Sequence, residues 1–86
     1  MRKIAFEGSA FKDFVEWATI DRKIYKRIAG LIMDVLRQPY EGIGKPELLK
    51  HELKGYWSRR INREHRLVYK VTNDAIIIIS CKYHYK

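Results

Sequence analysis

The sequence predicts an α+β architecture in which a two-helix hairpin packs on one face of a single sheet. Three observations carry that expectation: an alternating apolar segment at the N-terminus, two apolar patterns of helical period before Pro39, and three strand-like runs after residue 53. At 86 residues the chain sits near the lower limit for a core that folds unaided. One domain over residues 1–86 is therefore expected.

Residues 2–7 alternate, with Ile4 and Phe6 on one side, and read as a short strand. Gly8-Ser9 breaks it, and Ser9 is a natural N-cap for a helix running toward Trp17 with Phe11, Phe14, Val15 and Ala18 as its apolar stripe. Asp21 can cap a longer helix in which Ile24, Ile28, Leu31, Ile32, Val35 and Leu36 recur at helical spacing. Pro39 ends it, because proline lacks the N–H the helix needs. Residues 40–50 contain Gly42, Gly44 and Pro46 and read as a loop. Antiparallel strands are expected over 54–61, 65–72 and 75–85, with turns at Asn62-Arg63-Glu64 and Asn73-Asp74.

Side-chain parity then assigns faces. Leu67, Tyr69, Val71, Ile77, Ile79 and Cys81 are expected to face the helices, and Arg66, Ser80, Lys82 and His84 to face away. If Ile61 lies opposite His65, Arg60 falls opposite Arg66. Like charges so placed repel unless something compensates, and an anion on that face would do so.

Eighteen Lys and Arg stand against ten Asp and Glu, a net charge of +8. Residues 1–43 contribute eight basic and six acidic side chains, and residues 44–86 ten and four. A surplus so concentrated points to a polyanionic partner: nucleic acid, an anionic membrane surface or an acidic protein. A single cysteine excludes an intramolecular disulfide and favours a reducing compartment. Glu7 interrupts the N-terminus before a signal-peptide hydrophobic region forms, and the aliphatic run 75–79 is too short to span a bilayer, so a cytoplasmic protein without a membrane partner is expected.

His51 and His65 lack a Cys or His at ligand spacing, so no zinc site or other metal is expected, nor any cofactor. Gly42-Ile43-Gly44 has neither the context nor the terminal Lys-Ser/Thr of a phosphate loop. Taken singly, Lys45, Arg59 and Arg60 read as solubilising charges, Glu47 as a loop acid and His84 as a terminal bystander. Taken together, a carboxylate, a histidine, arginines and tyrosines are the parts needed to cleave RNA without a metal. A base takes the ribose 2′-hydroxyl proton, the oxygen attacks the adjacent phosphorus, and an acid protonates the departing 5′-oxygen. Arginine stabilises the charge that develops on phosphorus, and aromatic rings hold unstacked bases in line.

The segments Gly44-Lys45-Pro46-Glu47, Leu49-Lys50-His51, Gly55-Tyr56-Trp57-Ser58-Arg59-Arg60-Ile61, Glu64-His65-Arg66-Leu67-Val68-Tyr69 and Tyr83-His84-Tyr85 resemble, in order and spacing, the YoeB (Txe/YoeB) toxins of bacterial toxin–antitoxin systems. The resemblance implies a RelE/ParE-like fold and ribosome-dependent cleavage of mRNA in the decoding site. It implies Glu47 as general base, His84 as general acid, Arg66 as the group on the scissile phosphate and Tyr85 as the aromatic that orients substrate. It further implies Lys50, Arg59 and Arg60 as RNA or ribosome contacts and Glu64 as an accessory acid. The implied partners are the bacterial ribosome, mRNA, a YefM-like antitoxin whose acidic C-terminal segment covers the site, and a second copy of the chain. Leu48 stands where relatives often carry proline, and Lys86 extends past the usual His-Tyr ending. Two rivals remain open at this point: a non-enzymatic ParE-like inhibitor of DNA gyrase, and a basic RNA-binding module without chemistry.

Overall fold

The structure, a computed structural model, describes residues 1–83. Strand β1 (Lys3–Phe6) leads into helices α1 (Gly8–Ile20) and α2 (Arg22–Arg37). There follow β2 (Glu47–Leu48), a 3-10 turn (His51–Leu53), β3 (Trp57–Arg60), β4 (Arg66–Val71) and β5 (Ala75–Ser80). The sheet order is β1-β5-β4-β3-β2. β1 runs parallel to β5, with Ile4 opposite Ile76 and Phe6 opposite Ile78, and the remaining pairs are antiparallel. The helical hairpin is the crossover that carries the chain from one edge of this sheet to the other. One strand more than expected is present, because Glu47 and Leu48, expected in a loop, pair with Ser58 and Trp57 as a short edge strand.

Both helices form as their periodicity predicts, with two corrections in α1. Its N-cap is Glu7, without a side-chain cap, and Ser9 lies inside the first turn. Its core-facing side is Ala10, Phe14 and Trp17, spaced four and three residues apart, while Phe11 and Val15 are about half exposed. The face is therefore rotated from the expected stripe, and the Trp17 indole fixes it by donating from Nε1 to the Cys81 carbonyl at 3.1 Å. In α2 the expected cap is present: Asp21 Oδ1 accepts from the N–H groups of Lys23 and Ile24. Ile28, Leu31, Ile32 and Val35 are buried against the sheet, and the helix ends at Arg37, two residues before Pro39. Truncating a side chain such as Leu31, which is wholly buried, costs on the order of 2–5 kcal/mol.

The β4–β5 register corrects the parity reading. Val71 pairs with Ile76 and Tyr69 with Ile78, but Val68 pairs with Ser80, so Ile79 is an extra residue in β5. Such a bulge shifts side-chain alternation by one. Before it, Ile76 and Ile78 face the helices, not Ile77 and Ile79; after it, Cys81 returns to the core side, where it is fully buried. Leu67 and Tyr69 on β4 face the helices as expected. The opposite face carries Glu47, Ser58 and Arg60, Arg66, Val68 and Lys70, and Ile77 and Ser80. The helices do not pack on this face; Ser58 and Val68 at its centre are nonetheless buried, while Glu47, Arg60 and Lys70 are exposed.

Candidate functional site

Glu47 sits on the edge strand β2 with its carboxylate exposed, and the segment that delivers it is held from beneath. Arg59, the third of the four residues of β3, points to the helix side and is fully buried. Its Nη1 donates to Asp34 Oδ2 at 2.6 Å and to the Ile43 carbonyl at 3.1 Å. Nη2 donates to the carbonyls of Gln38 and Glu41 at 2.7 and 2.8 Å, and Nε to Tyr69 Oη at 3.1 Å. Tyr69 in turn donates to the Pro39 carbonyl, and Asp34 accepts the Ile43 N–H. Residues 38–43 are thus pinned by side chains from α2, β3 and β4. Burial would raise the Asp34 pKa, but hydrogen bonds from Arg59, the Ile43 N–H, Arg37 and Gln38 outweigh it and lower the carboxyl to about 2. The resemblance implied Arg59 as an RNA contact, and the structure corrects this: a buried guanidinium with every nitrogen engaged cannot reach a phosphate. Burial also raises the Tyr69 phenol above its ordinary value.

Beyond the pinned loop, Gly44 has φ +81°. A Cβ there would lie 2.8 Å from Leu31 Cδ2, so only glycine lets the chain pass this close to α2. The Gly44 carbonyl accepts from the Arg60 N–H at 2.6 Å, which joins the loop to β3. Pro46 and Glu47 follow at once. The register places Glu47, Ser58 and Val68 in one row across the open face, with Arg60 and Arg66 opposed in the row two residues along. At ordinary strand spacing and rise, the Glu47 and Arg66 Cα atoms are about 12 Å apart, a gap that two long side chains can close around a phosphodiester.

The expected opposition of Arg60 and Arg66 is present. Part of the compensation is internal, since Arg66 Nη1 donates to the carbonyls of Asn62 at 2.7 Å and His65 at 3.1 Å. Lys50 is exposed beside the 3-10 turn, and Lys70 Nζ stands 6.0 Å from the centroid of the Tyr56 ring on the same face. Glu64 is exposed on the β3–β4 turn. Its neighbour His65 is buried, with Nδ1 accepting the Tyr83 N–H at 2.7 Å. His84 and Tyr85 lie outside the described residues.

The structure therefore brings Glu47, Arg60 and Arg66 to one face and removes Arg59 from it. Sequence reasoning missed Asp34, Tyr69 and the contact of His65. A signal for Asp34 was present, a lone acid three residues after Leu31 on the apolar side of α2. Cys81 is packing material: burial pushes its thiol up to about 12, and Sγ lies 3.6 Å from the Ala10 carbonyl. Among the described residues no group of His, Cys, Asp and Glu side chains could hold a metal ion, and no helix is long and apolar enough to cross a membrane.

Comparison with known proteins adds to this geometry. Residues 6–85 match the family model of the YoeB-like toxin of bacterial type II toxin-antitoxin systems. Toxin YoeB of Streptomyces coelicolor is 53% identical over 83 residues, which are 96% of this chain and 99% of that protein. A crystal structure of a heterotetrameric YoeB-YefM toxin-antitoxin complex from Staphylococcus aureus superposes with a TM-score of 0.89 at 50% identity, covering 99% of both chains. The YoeB dimer from the same organism gives 0.91 at 50% identity over 98% of both chains.

Proposed function

The chain belongs to the YoeB family of bacterial type II toxins and has their RelE/ParE-like fold, and on that footing we propose that it is a metal-independent endoribonuclease that cleaves mRNA in the decoding site of the translating ribosome. One observation supports this reading above the others: the helices leave open a sheet face on which a carboxylate, Glu47, is displayed together with two arginines, Arg60 and Arg66. A non-enzymatic gyrase inhibitor has no use for a carboxylate displayed on the same face as two arginines.

Glu47 takes the proton of the ribose 2′-hydroxyl, and the oxygen attacks the adjacent phosphorus. Arg66 carries a planar fork of donors to the non-bridging oxygens, where negative charge grows in the transition state. His84 gives a proton to the departing 5′-oxygen, and Tyr85 orients the substrate. The products are a 2′,3′-cyclic phosphate and a 5′-hydroxyl. Lys50 and Arg60 contact mRNA or rRNA phosphates, with Glu64 as an accessory acid. The toxin acts in the cytoplasm, is silenced by a YefM-like antitoxin whose acidic segment covers the open face, and pairs with a second copy of itself, as the S. aureus relatives do with YefM and with each other.

Single-turnover cleavage on preformed ribosome–mRNA complexes tests the proposal. Glu47→Gln and His84→Gln should each lower the rate by at least about 10²-fold with ribosome affinity retained, because proton transfer matters only in the transition state. Arg66→Lys should fail too, since a point charge does not replace the guanidinium fork. Chelation by EDTA should leave the chemistry on intact ribosomes unchanged. Products ending in a 3′-hydroxyl and a 5′-phosphate, or inhibition of DNA supercoiling without mRNA cleavage, would overturn the reading.

A further inference from the structure

The chemistry above makes no use of His65, a buried imidazole at the start of β4. Its own backbone is fixed first: its N–H donates to Asn62 Oδ1 at 2.7 Å and its carbonyl accepts from the Ile61 N–H at 3.1 Å. The ring stands edge-on to Trp17 of α1, with centroids 4.9 Å apart, and 5.3 Å from the ring of Tyr83. Held in that slot, Nδ1 accepts the Tyr83 N–H at 2.7 Å. A neutral imidazole that accepts at Nδ1 carries its proton on Nε2. Glu64 Oε1, 3.7 Å from Nε2, favours that tautomer electrostatically.

Tyr83 is gripped from both sides of its backbone. Its N–H goes to the His65 ring, and its carbonyl accepts the Arg66 N–H at 3.1 Å. The residue has φ +63°, a left-handed conformation that an aromatic residue adopts only where its surroundings impose it. The next residue is His84.

We propose that His65 is a positioning residue, whose Nδ1 fixes the Tyr83 peptide and so aims the segment that carries His84. The catalytic half of this inference rests on the reading of His84 as general acid. The structural half stands without it, and Glu64 gains a role through His65 that needs no contact with RNA.

The test uses the full-length toxin and two substitutions that separate the ring from its acceptor. His65→Phe keeps a ring against Trp17 but has no acceptor. His65→Asn loses the ring but places Oδ1 at the same number of bonds from Cα as Nδ1. In His65→Phe the Tyr83 amide should lose hydrogen-exchange protection, and single-turnover cleavage should fall at least about tenfold at unchanged ribosome affinity, as expected of lost orientation. In His65→Asn both properties should return toward wild type, a rescue that a purely packing role would not give. Undiminished Tyr83 protection in the Phe variant, or equal losses in both variants, would overturn the proposal. Should either variant fail to fold, the wild-type ring decides: its ¹⁵N shifts must report the Nε2–H tautomer, and an Nδ1–H tautomer refutes the clamp. If the wild-type toxin cleaves no mRNA, the proposed activity falls, and the Tyr83 amide and the ring tautomer still decide for or against the clamp.

Discussion

Asp34 and Arg59 show what a single residue can do at a distance from any substrate. Their contact at 2.6 Å joins α2 to β3 inside the core, and the hydrogen bonds around it leave no nitrogen of the guanidinium without a partner. Removing one member of such a pair strands a buried charge, which costs on the order of 3–5 kcal/mol. Arg59→Met and Asp34→Leu should each shift urea unfolding by that amount, and the double substitution should cost clearly less than their sum. The acid side of the pair also sets a pH dependence. The carboxyl titrates near 2 in the folded chain, below its ordinary value of 3.8. A depressed folded pKa stabilises above the unfolded value and stops doing so as pH falls through the folded one. Melting temperature should therefore drop between about pH 4 and pH 2, and the drop should shrink in Asp34→Leu. An unchanged acid limb in that variant would place the effect on other carboxylates.

At the scale of elements, the loop between α2 and β2 links core packing to the geometry of the candidate site. Gly44 is its tightest point, with positive φ and no room for a Cβ beside Leu31. Gly44→Ala should cost about 1–3 kcal/mol and displace Glu47, three residues on, so cleavage should fall more than stability alone explains. Denaturant melts beside single-turnover rates check this, and a rate loss no larger than the unfolded fraction would show the loop to be indifferent to the site. How legible these elements were follows from the range of the interactions that fix them. The α2 boundaries are local, set by Asp21 and by Pro39, and both could be read. The opposition of Arg60 and Arg66 followed from the length of one turn. The rotation of α1 was not legible because it depends on a partner 64 residues along the chain, Trp17 with Cys81, and the bulge at Ile79 and the pairing of β2 were not legible because turn signals alone do not fix strand register. Arg59 and Arg60 are adjacent and chemically identical, and only strand parity, known once Ser58 is paired with Glu47 and Val68, separates the buried one from the exposed one.

For the whole molecule, a net charge of +8 on a body with a radius of gyration of 11.8 Å sets up a positive long-range field that would attract a polyanion. Most of the surplus lies in residues 44–86, which supply Lys50, Arg60, Arg66 and Lys70 at or beside the open face. Binding to RNA phosphate releases counterions, so ribosome affinity should fall steeply with salt. Lys50→Ala and Arg60→Ala should each reduce the logarithmic salt slope by about 0.7–0.9 per lost phosphate contact. Slopes identical to wild type for both variants would move the RNA contact elsewhere. Under the proposed function the same field would also draw the antitoxin. An acidic segment docking on this face would have to desolvate and order itself there, and would gain affinity by covering the cations proposed to hold RNA. Occupancy by antitoxin and by ribosome should therefore be mutually exclusive. In a competition titration, the apparent affinity of the toxin for ribosomes should weaken in proportion to added YefM-like peptide. Arg60→Ala, which lacks a cation both partners use, should weaken both affinities together. A ternary complex of toxin, antitoxin segment and ribosome with cleavage intact would place the antitoxin on another surface. Weakening of ribosome binding alone by Arg60→Ala would show that the two partners read different charges on this face.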